Sequence, residues 1–160
     1  MKYSLKKSIV LCLATMILCV ATGCYKTEYS ATASILVTNG AVTTSYAETT
    51  DKISGSDISA SLYLANTVVD ILNTPDIYIE LANELGEEDY QSLQNSFLIA
   101  RRSEDTLFVD ITYSNSDQKK AVDIVNKFTE LACDYIPRFI PSARVNVASI
   151  AVKAQKQGLF

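Results

Sequence analysis

The sequence predicts an α+β fold: a small mixed or antiparallel sheet of about four strands, with helices packed on one face. Three observations predict it. Stretches of period-two alternation stand near the start, in the middle and near the end of the body. Between them lie longer stretches whose apolar residues step by three and four. Proline, glycine or a capping serine or aspartate marks the junctions. The order is strand, two or three helices, two strands, helix, strand, which is a split β-α-β plan. No internal repeat interrupts it.

Taken in order, "YSATASILVT" (residues 29–38) reads as the first strand, with Ala31, Ala33, Ile35 and Val37 on one face. A loop rich in threonine, serine and glycine follows from Asn39 to about Ser56, long enough to suggest mobility or function. "SDISASLYLANTVVDILNTP" reads as a helix with Ile58, Leu62, Ala65, Val69 and Leu72 in its apolar stripe and Ser56 or Asp57 at its start. Pro75 opens a second helix, with Ile77, Leu81 and Leu85 inward and Gly86 as a left-handed C-terminal cap. A short third helix is capped by Asp89 and directs Leu93 inward.

Two strands come next, Phe97 to Arg102 and Leu107 to Tyr113, joined by "SEDT". In the second, Leu107, Val109, Ile111 and Tyr113 face one way and Phe108, Asp110 and Thr112 the other, the alternation of a strand covered on one side. The longest helix starts at Ser116 or Asp117, carries Ala121, Ile124, Phe128, Leu131 and Tyr135 as its stripe, and is bent or ended by Pro137. "ARVNVASIAVKA" supplies the last strand.

The chain has 160 residues and 48% apolar content, enough for one small domain behind a leader. Fourteen basic residues less Lys2, Lys6 and Lys7 leave eleven after Cys24, against eighteen acidic ones, so the body carries −7. Such a charge opposes general nucleic-acid binding, which needs cations to displace phosphate counterions. It also opposes adsorption to anionic lipid by overall charge. Histidine is absent, which removes the commonest general base, histidine-based triads and the commonest zinc ligand. Of Cys12, Cys19, Cys24 and Cys133, only Cys133 lies in the body, so no internal disulfide framework is expected. Cys133 itself reads as a small packed hydrophobe.

The first 24 residues form the leader. Lys2, Lys6 and Lys7 precede an uncharged run from Ser8 to Cys24, which orients the N-terminus to the cytoplasm and the body outward. The apolar core "IVLCLATMILCVA" has signal-peptide length, and "VATGC" ends in small residues before a cysteine. That ending resembles a bacterial lipobox, with Cys24 as the candidate lipid attachment residue and Ala21 standing where leucine is usual. A second reading is an uncleaved anchor, for which the run is at the lower limit of a spanning helix, and a third is plain secretion. The first two, the main readings, tether the domain to the cell membrane, facing outward.

The domain organisation expected is therefore residues 1–24 as signal or anchor, 25–152 as the extracytoplasmic domain, and 153–160 as a polar tail. On "YSATASILVTN", "DISASLYLANTVVDILNTPDIYIELANELG", "DTLFVDITYSNSDQKKAVDIVNKF" and "ARVNVASIAV", taken in that order, the body resembles the extracytoplasmic domain of Wzz-type polysaccharide chain-length determinants and Gram-positive capsule-export modulators. The likeness covers roughly Lys2 to Val152. These are packing and capping patterns, none of them a catalytic signature. The chain departs from the family in showing no proline-rich segment or second apolar run after Val152, and too few residues before its first run for a kinase-contacting tail. It looks like the short Gram-positive type of domain on a single anchor.

The resemblance implies a non-enzymatic co-polymerase or modulator of capsular or exopolysaccharide assembly, chain length or export. It implies a homo-oligomer beside a polysaccharide polymerase or export machinery, with no cofactor, no metal and no nucleic acid. Arg101 and Arg102 are the candidate contacts for polymer or a neighbouring subunit, since guanidinium groups suit acidic sugars, pyrophosphates and carboxylates. The bland reading makes them a solvated hairpin end beside Glu104 and Asp105. No catalytic residue is expected, and the acidic "GEEDY" segment lacks the ligand alternation of a calcium loop. Two other roles stay open: a structural adaptor lipoprotein that no longer sets chain length, and a ligand-binding lipoprotein or an enzyme using carboxylates such as Asp110. A deep pocket holding paired, buried carboxylates would favour the last.

Overall fold

The structure, a computed structural model, describes residues 27–40 and 55–157. The leader with Cys24, and residues 41–54 of the threonine-rich loop, lie outside the described residues. β1 (Tyr29–Asn39) buries the face predicted for it: Ala31, Ala33, Ile35 and Val37 are all out of reach of water. Along one edge β1 pairs antiparallel with β3 (Phe108–Asn115), from Tyr29 opposite Asn115 to Leu36 opposite Phe108. Along the other edge its far half pairs with β4 (Ala143–Ser149), and its first two residues pair with β5 (Gln155–Lys156). β2 (Phe97–Arg101) adds outside β3. The order β2-β3-β1-β4 is antiparallel throughout, the arrangement a split β-α-β chain adopts. The fold is α+β, as the sequence predicts, with a fifth short strand drawn from the expected polar tail.

Four helices cover the face of the sheet that carries the buried alanines, isoleucines and valines. α1 (Gly55–Leu72) is turned about one residue from the predicted stripe. Ser61, Ala65, Val68 and Leu72 are buried, Leu62 and Val69 lie half-buried on the flanks, and Ile58 is 49% exposed. The cause is polar: the Ser61 hydroxyl accepts the Asn39 N–H at the end of β1, 3.2 Å away, which sets the helix's rotation. α2 (Pro75–Leu85) starts on its proline and stops at Gly86, whose φ of 69° is left-handed backbone that glycine adopts without strain. α3 (Tyr90–Asn95) is capped as expected, the Asp89 carboxylate accepting the Gln91 and Ser92 N–H groups, and Leu93 enters the core.

α4 (Gln118–Phe139) starts at Asp117, whose carboxylate accepts the Lys119 and Lys120 N–H groups. Its buried stripe is wider than predicted and includes Val125, Ala132 and Ile136, while Ile124 sits half-buried at its edge. A helix lying flat on a sheet buries two adjacent rows, not one. Pro137 neither ends nor replaces the last turn: Arg138 and Phe139 continue it, and the Ile140 N–H reaches the Ile136 carbonyl. So close to the end, the missing proline N–H interrupts little.

Aromatic rings lock the layers together. Phe97 of β2 lies 4.5 Å from Phe128 of α4 and 4.6 Å from Tyr113 of β3, centroid to centroid, and Tyr78 of α2 packs on both phenylalanines. Tyr78 is wholly buried, and Tyr63 is 76% exposed. Removing a ring from this cluster leaves a cavity that α2, β2 and α4 cannot all close. Phe128→Ala is expected to cost about 3–5 kcal/mol in urea denaturation, and Tyr63→Ala to stay within about 0.5 kcal/mol of the parent.

Candidate functional site

Strand alternation that buries one face of the sheet sets a second row of side chains on the other, away from the helices. From β1 these are Ser30, Thr32, Ser34 and Leu36; from β3, Ser114, Thr112, Asp110 and Phe108. Antiparallel register brings them together in that order. The Ser30 and Ser114 hydroxyls are 2.8 Å apart, as are those of Thr32 and Thr112. Gln157 Nε2, beyond β5, donates to both serines. Leu98 of β2 stands exposed beside this ladder.

One step further along, the hydroxyl ladder becomes an ion-pair cluster. Asp110 Oδ1 accepts from Ser34 at 2.6 Å and from Arg102 Nη2 at 2.8 Å, and Oδ2 accepts from Arg102 Nε at 3.1 Å. Arg102 Nη2 also donates to Ser34 Oγ at 2.8 Å, and the guanidinium lies 5.0 Å over the Phe108 ring. Burial raises the Asp110 carboxyl pKa, but the bonds from Arg102 and Ser34 and the arginine's charge outweigh that, holding it below the ordinary carboxylate range. Asp110 is thus charged at neutral pH with both oxygens occupied. This is the arrangement of a fixed polar platform, in which proton transfer by Asp110 would require breaking a bidentate pair.

The two candidate arginines are not neighbours in space. Adjacent residues at a strand end point to opposite faces, and only Arg102 reaches the platform. Arg101 turns to the helix side: Nη1 donates to Asn66 Oδ1 of α1 at 2.9 Å, and Nη2 donates to the Glu104 and Thr106 carbonyls. Its guanidinium ties the β2–β3 hairpin to α1. The partner of Arg102 is Asp110 across the hairpin, not the sequence-adjacent Glu104 or Asp105. Sequence alternation placed Asp110 on the open face, but only register joins it to Ser34, 76 positions away.

Beside Arg101 a shallow groove of about 490 Å³ runs between α1 and β2, lined by Asn66, Val69, Asp70, Ile99, Ala100, Ser103 and Glu104. A second, of about 440 Å³, lies by the start of α4 and contains Lys119, Val122, Val152 and Lys153. Neither brings Asp110 against a second carboxylate. Among the described residues, no group of three or more Cys, Asp and Glu is placed to hold a metal ion, and no helix is long and apolar enough to cross a membrane.

A third feature carries no signature in the sequence. β4 leaves β1 after Ser149, opposite Ser34, and β5 rejoins the same edge opposite Ser30. Ala148 is an extra residue there, a bulge that swings the chain outward. Side-chain amides of α4 hold the excursion: Asn126 accepts the Ala151 N–H and donates to its carbonyl, at 2.8 and 2.9 Å, and Gln118 donates to the Ala154 carbonyl at 3.1 Å. Ala151 and Ala154 are buried between these pins, and Val152 is 82% exposed.

No protein-family model matches the chain, and no curated protein matches it.

Two measurements check the electrostatics. A carboxylate with a depressed folded-state pKa stabilises the fold above its unfolded pKa and loses that contribution as pH falls through the folded value. Thermal midpoints of the parent are therefore expected to drop below about pH 4, and Asp110→Asn, read over the same series, is expected to lack that component. Burial, with the Asp134 and Glu130 charges, pushes the Cys133 thiol up to about 11. At pH 8 its alkylation by iodoacetamide is expected to be slow in the native protein and fast in urea, where the unfolded thiol titrates near pH ~8.5.

Proposed function

We propose that this chain is a membrane-tethered, outward-facing, non-enzymatic domain of the Wzz-like class that modulates assembly, chain length or export of a surface polysaccharide. One observation carries the reading. The strand that begins five residues after Cys24 is the central strand of a split β-α-β sheet, paired along both edges. Five residues of chain span at most ~17 Å, so the tether holds the core of the domain close to the membrane.

The open face supports the same reading. Its polar groups bond to one another in a continuous row, which suits repeated contacts with an extended polymer or with another protein surface. A role in length control needs interfaces and a fixed position; it makes no demand for a nucleophile or a free base. Attachment through a lipid on Cys24, or through an uncleaved apolar run, gives the same placement.

The test is the size distribution of surface and released polysaccharide in cells with and without the gene. A change in modal length or yield that the intact gene restores is the expected outcome. An unchanged distribution, with the protein confirmed at the cell surface, overturns the proposal.

A further inference from the structure

The body is strongly acidic, yet its lysines are not spread evenly. Of the five lysines among the described residues, Lys119, Lys120, Lys153 and Lys156 stand at one end of the domain. It is the end at which β1 begins. Lys156 is opposite Tyr29 in the sheet, and the Gln157 N–H donates to the Glu28 carbonyl at 2.9 Å. Lys119 and Lys120 open α4 directly after the end of β3, whose Asn115 is also opposite Tyr29. Lys153 shares a groove with Lys119. The fifth, Lys127, is paired with Glu84.

Three carboxylates stand next to these lysines in the chain or the sheet. Asp117 is occupied by the N–H groups of Lys119 and Lys120, Asp123 is paired with Lys119, and Glu28 lies next to β1. Lys120, Lys153 and Lys156 are left as the cations without a carboxylate partner among the described ion pairs. Between them the pinned excursion holds Val152 out at 82% exposure and Ile150 at 59%. Asn126 and Gln118 fix the backbone on either side, so these apolar side chains are presented by a built feature.

We infer that this end is a docking face for an anionic lipid surface: Val152 and Ile150 enter the headgroup layer while Lys120, Lys153 and Lys156 meet lipid phosphates. The inference rests on the tether of the proposed function, because the chain reaches the face from the apolar run only five residues before β1. Exposed apolar side chains flanked by lysines are the composition that interfacial binding uses. The acidic remainder of the body is repelled by the same surface, so docking also orients the domain. β1 then rises from the membrane with its Asn39 end about 34 Å higher, for eleven residues of strand.

The chain contains no tryptophan, so an introduced one is a clean reporter. Val152→Trp and Tyr63→Trp are made in the full chain and reconstituted into vesicles of brominated phosphatidylglycerol mixed with phosphatidylcholine. A parallel set uses brominated phosphatidylcholine alone. Tyr63 is exposed on α1, close in sequence to Ser61, which bonds the far end of β1. The expected result is bromine quenching of Val152→Trp in the anionic vesicles, weak quenching in the neutral ones, and none of Tyr63→Trp. Adding Lys153→Glu and Lys156→Glu shifts the docked fraction by on the order of tenfold or more, at roughly fivefold per basic residue near the surface, without changing the thermal midpoint. Co-flotation with vesicles reads the tether separately. Co-flotation with no more quenching at 152 than at 63 overturns the docking face and leaves the tether standing. Equal quenching in both vesicle types, or indifference to the glutamates, overturns the anionic-lipid assignment. Loss of co-flotation overturns tether and docking face together.

Discussion

Everything in this domain hangs on β1 being hydrogen-bonded along both edges. A strand so placed must bury one face completely, and the small Ala31 and Ala33 followed by Ile35 and Val37 do so while letting α1 and α4 approach closely. β3 takes the whole of one edge, and β4 and β5 divide the other. The division is what creates the excursion at residues 150–154, because one extra residue at Ala148 breaks the register and α4 supplies the missing hydrogen bonds from Asn126 and Gln118. A feature of the surface thus follows from a defect in the pairing of the central strand.

The same strand sets the two faces against each other chemically. Its odd positions meet helices and the aromatic cluster of Tyr78, Phe97, Tyr113 and Phe128, where water is excluded and ring contacts fix how α2, β2, β3 and α4 sit together. Its even positions Ser30, Thr32 and Ser34 are hydroxyls whose partners on β3 are hydroxyls and one aspartate. Buried or half-buried polar groups are expensive unless satisfied, and here each satisfies its opposite number. Arg102 completes the row by closing both oxygens of Asp110, which holds the carboxylate in place.

Charge is uneven across the domain. Among the described residues most lysines gather where β1 begins, and acidic residues lie on α2 (Asp76, Glu80, Glu84), in the turn before α3 (Glu87, Glu88, Asp89) and on the β2–β3 hairpin (Glu104, Asp105). For a domain held at that end, such a distribution turns a tether into an orientation: one end attracted to lipid phosphates, the rest repelled. The functional proposal and the docking face are linked through this geometry, since a modulator of polymer assembly must present the same surface to its partners each time.

The sequence by itself determined the α+β class, the order of the main elements, the inward row of β1, the cap at Asp89 and the stop at Gly86, and it narrowed the cap of the last helix to Ser116 or Asp117. These depend on period and on local backbone chemistry, which neighbours in the chain carry. The rotation of α1 was not legible there, because it answers to the hydrogen bond that the Asn39 N–H donates to the Ser61 hydroxyl, and stripe counting cannot weigh a serine against Ile58. In the sequence Arg101 and Arg102 stand together at one hairpin end, and their divergence was not legible because their partners Asn66 and Asp110 come from other elements or positions of the sheet. The fifth strand and the pinned excursion were invisible, since "IAVKAQK" reads as more strand and then tail until Asn126 and Gln118 are brought beside it. Tertiary structure decided these points because each is a contact between residues far apart in the chain, and register and rotation, which no local pattern encodes, choose which of them meet.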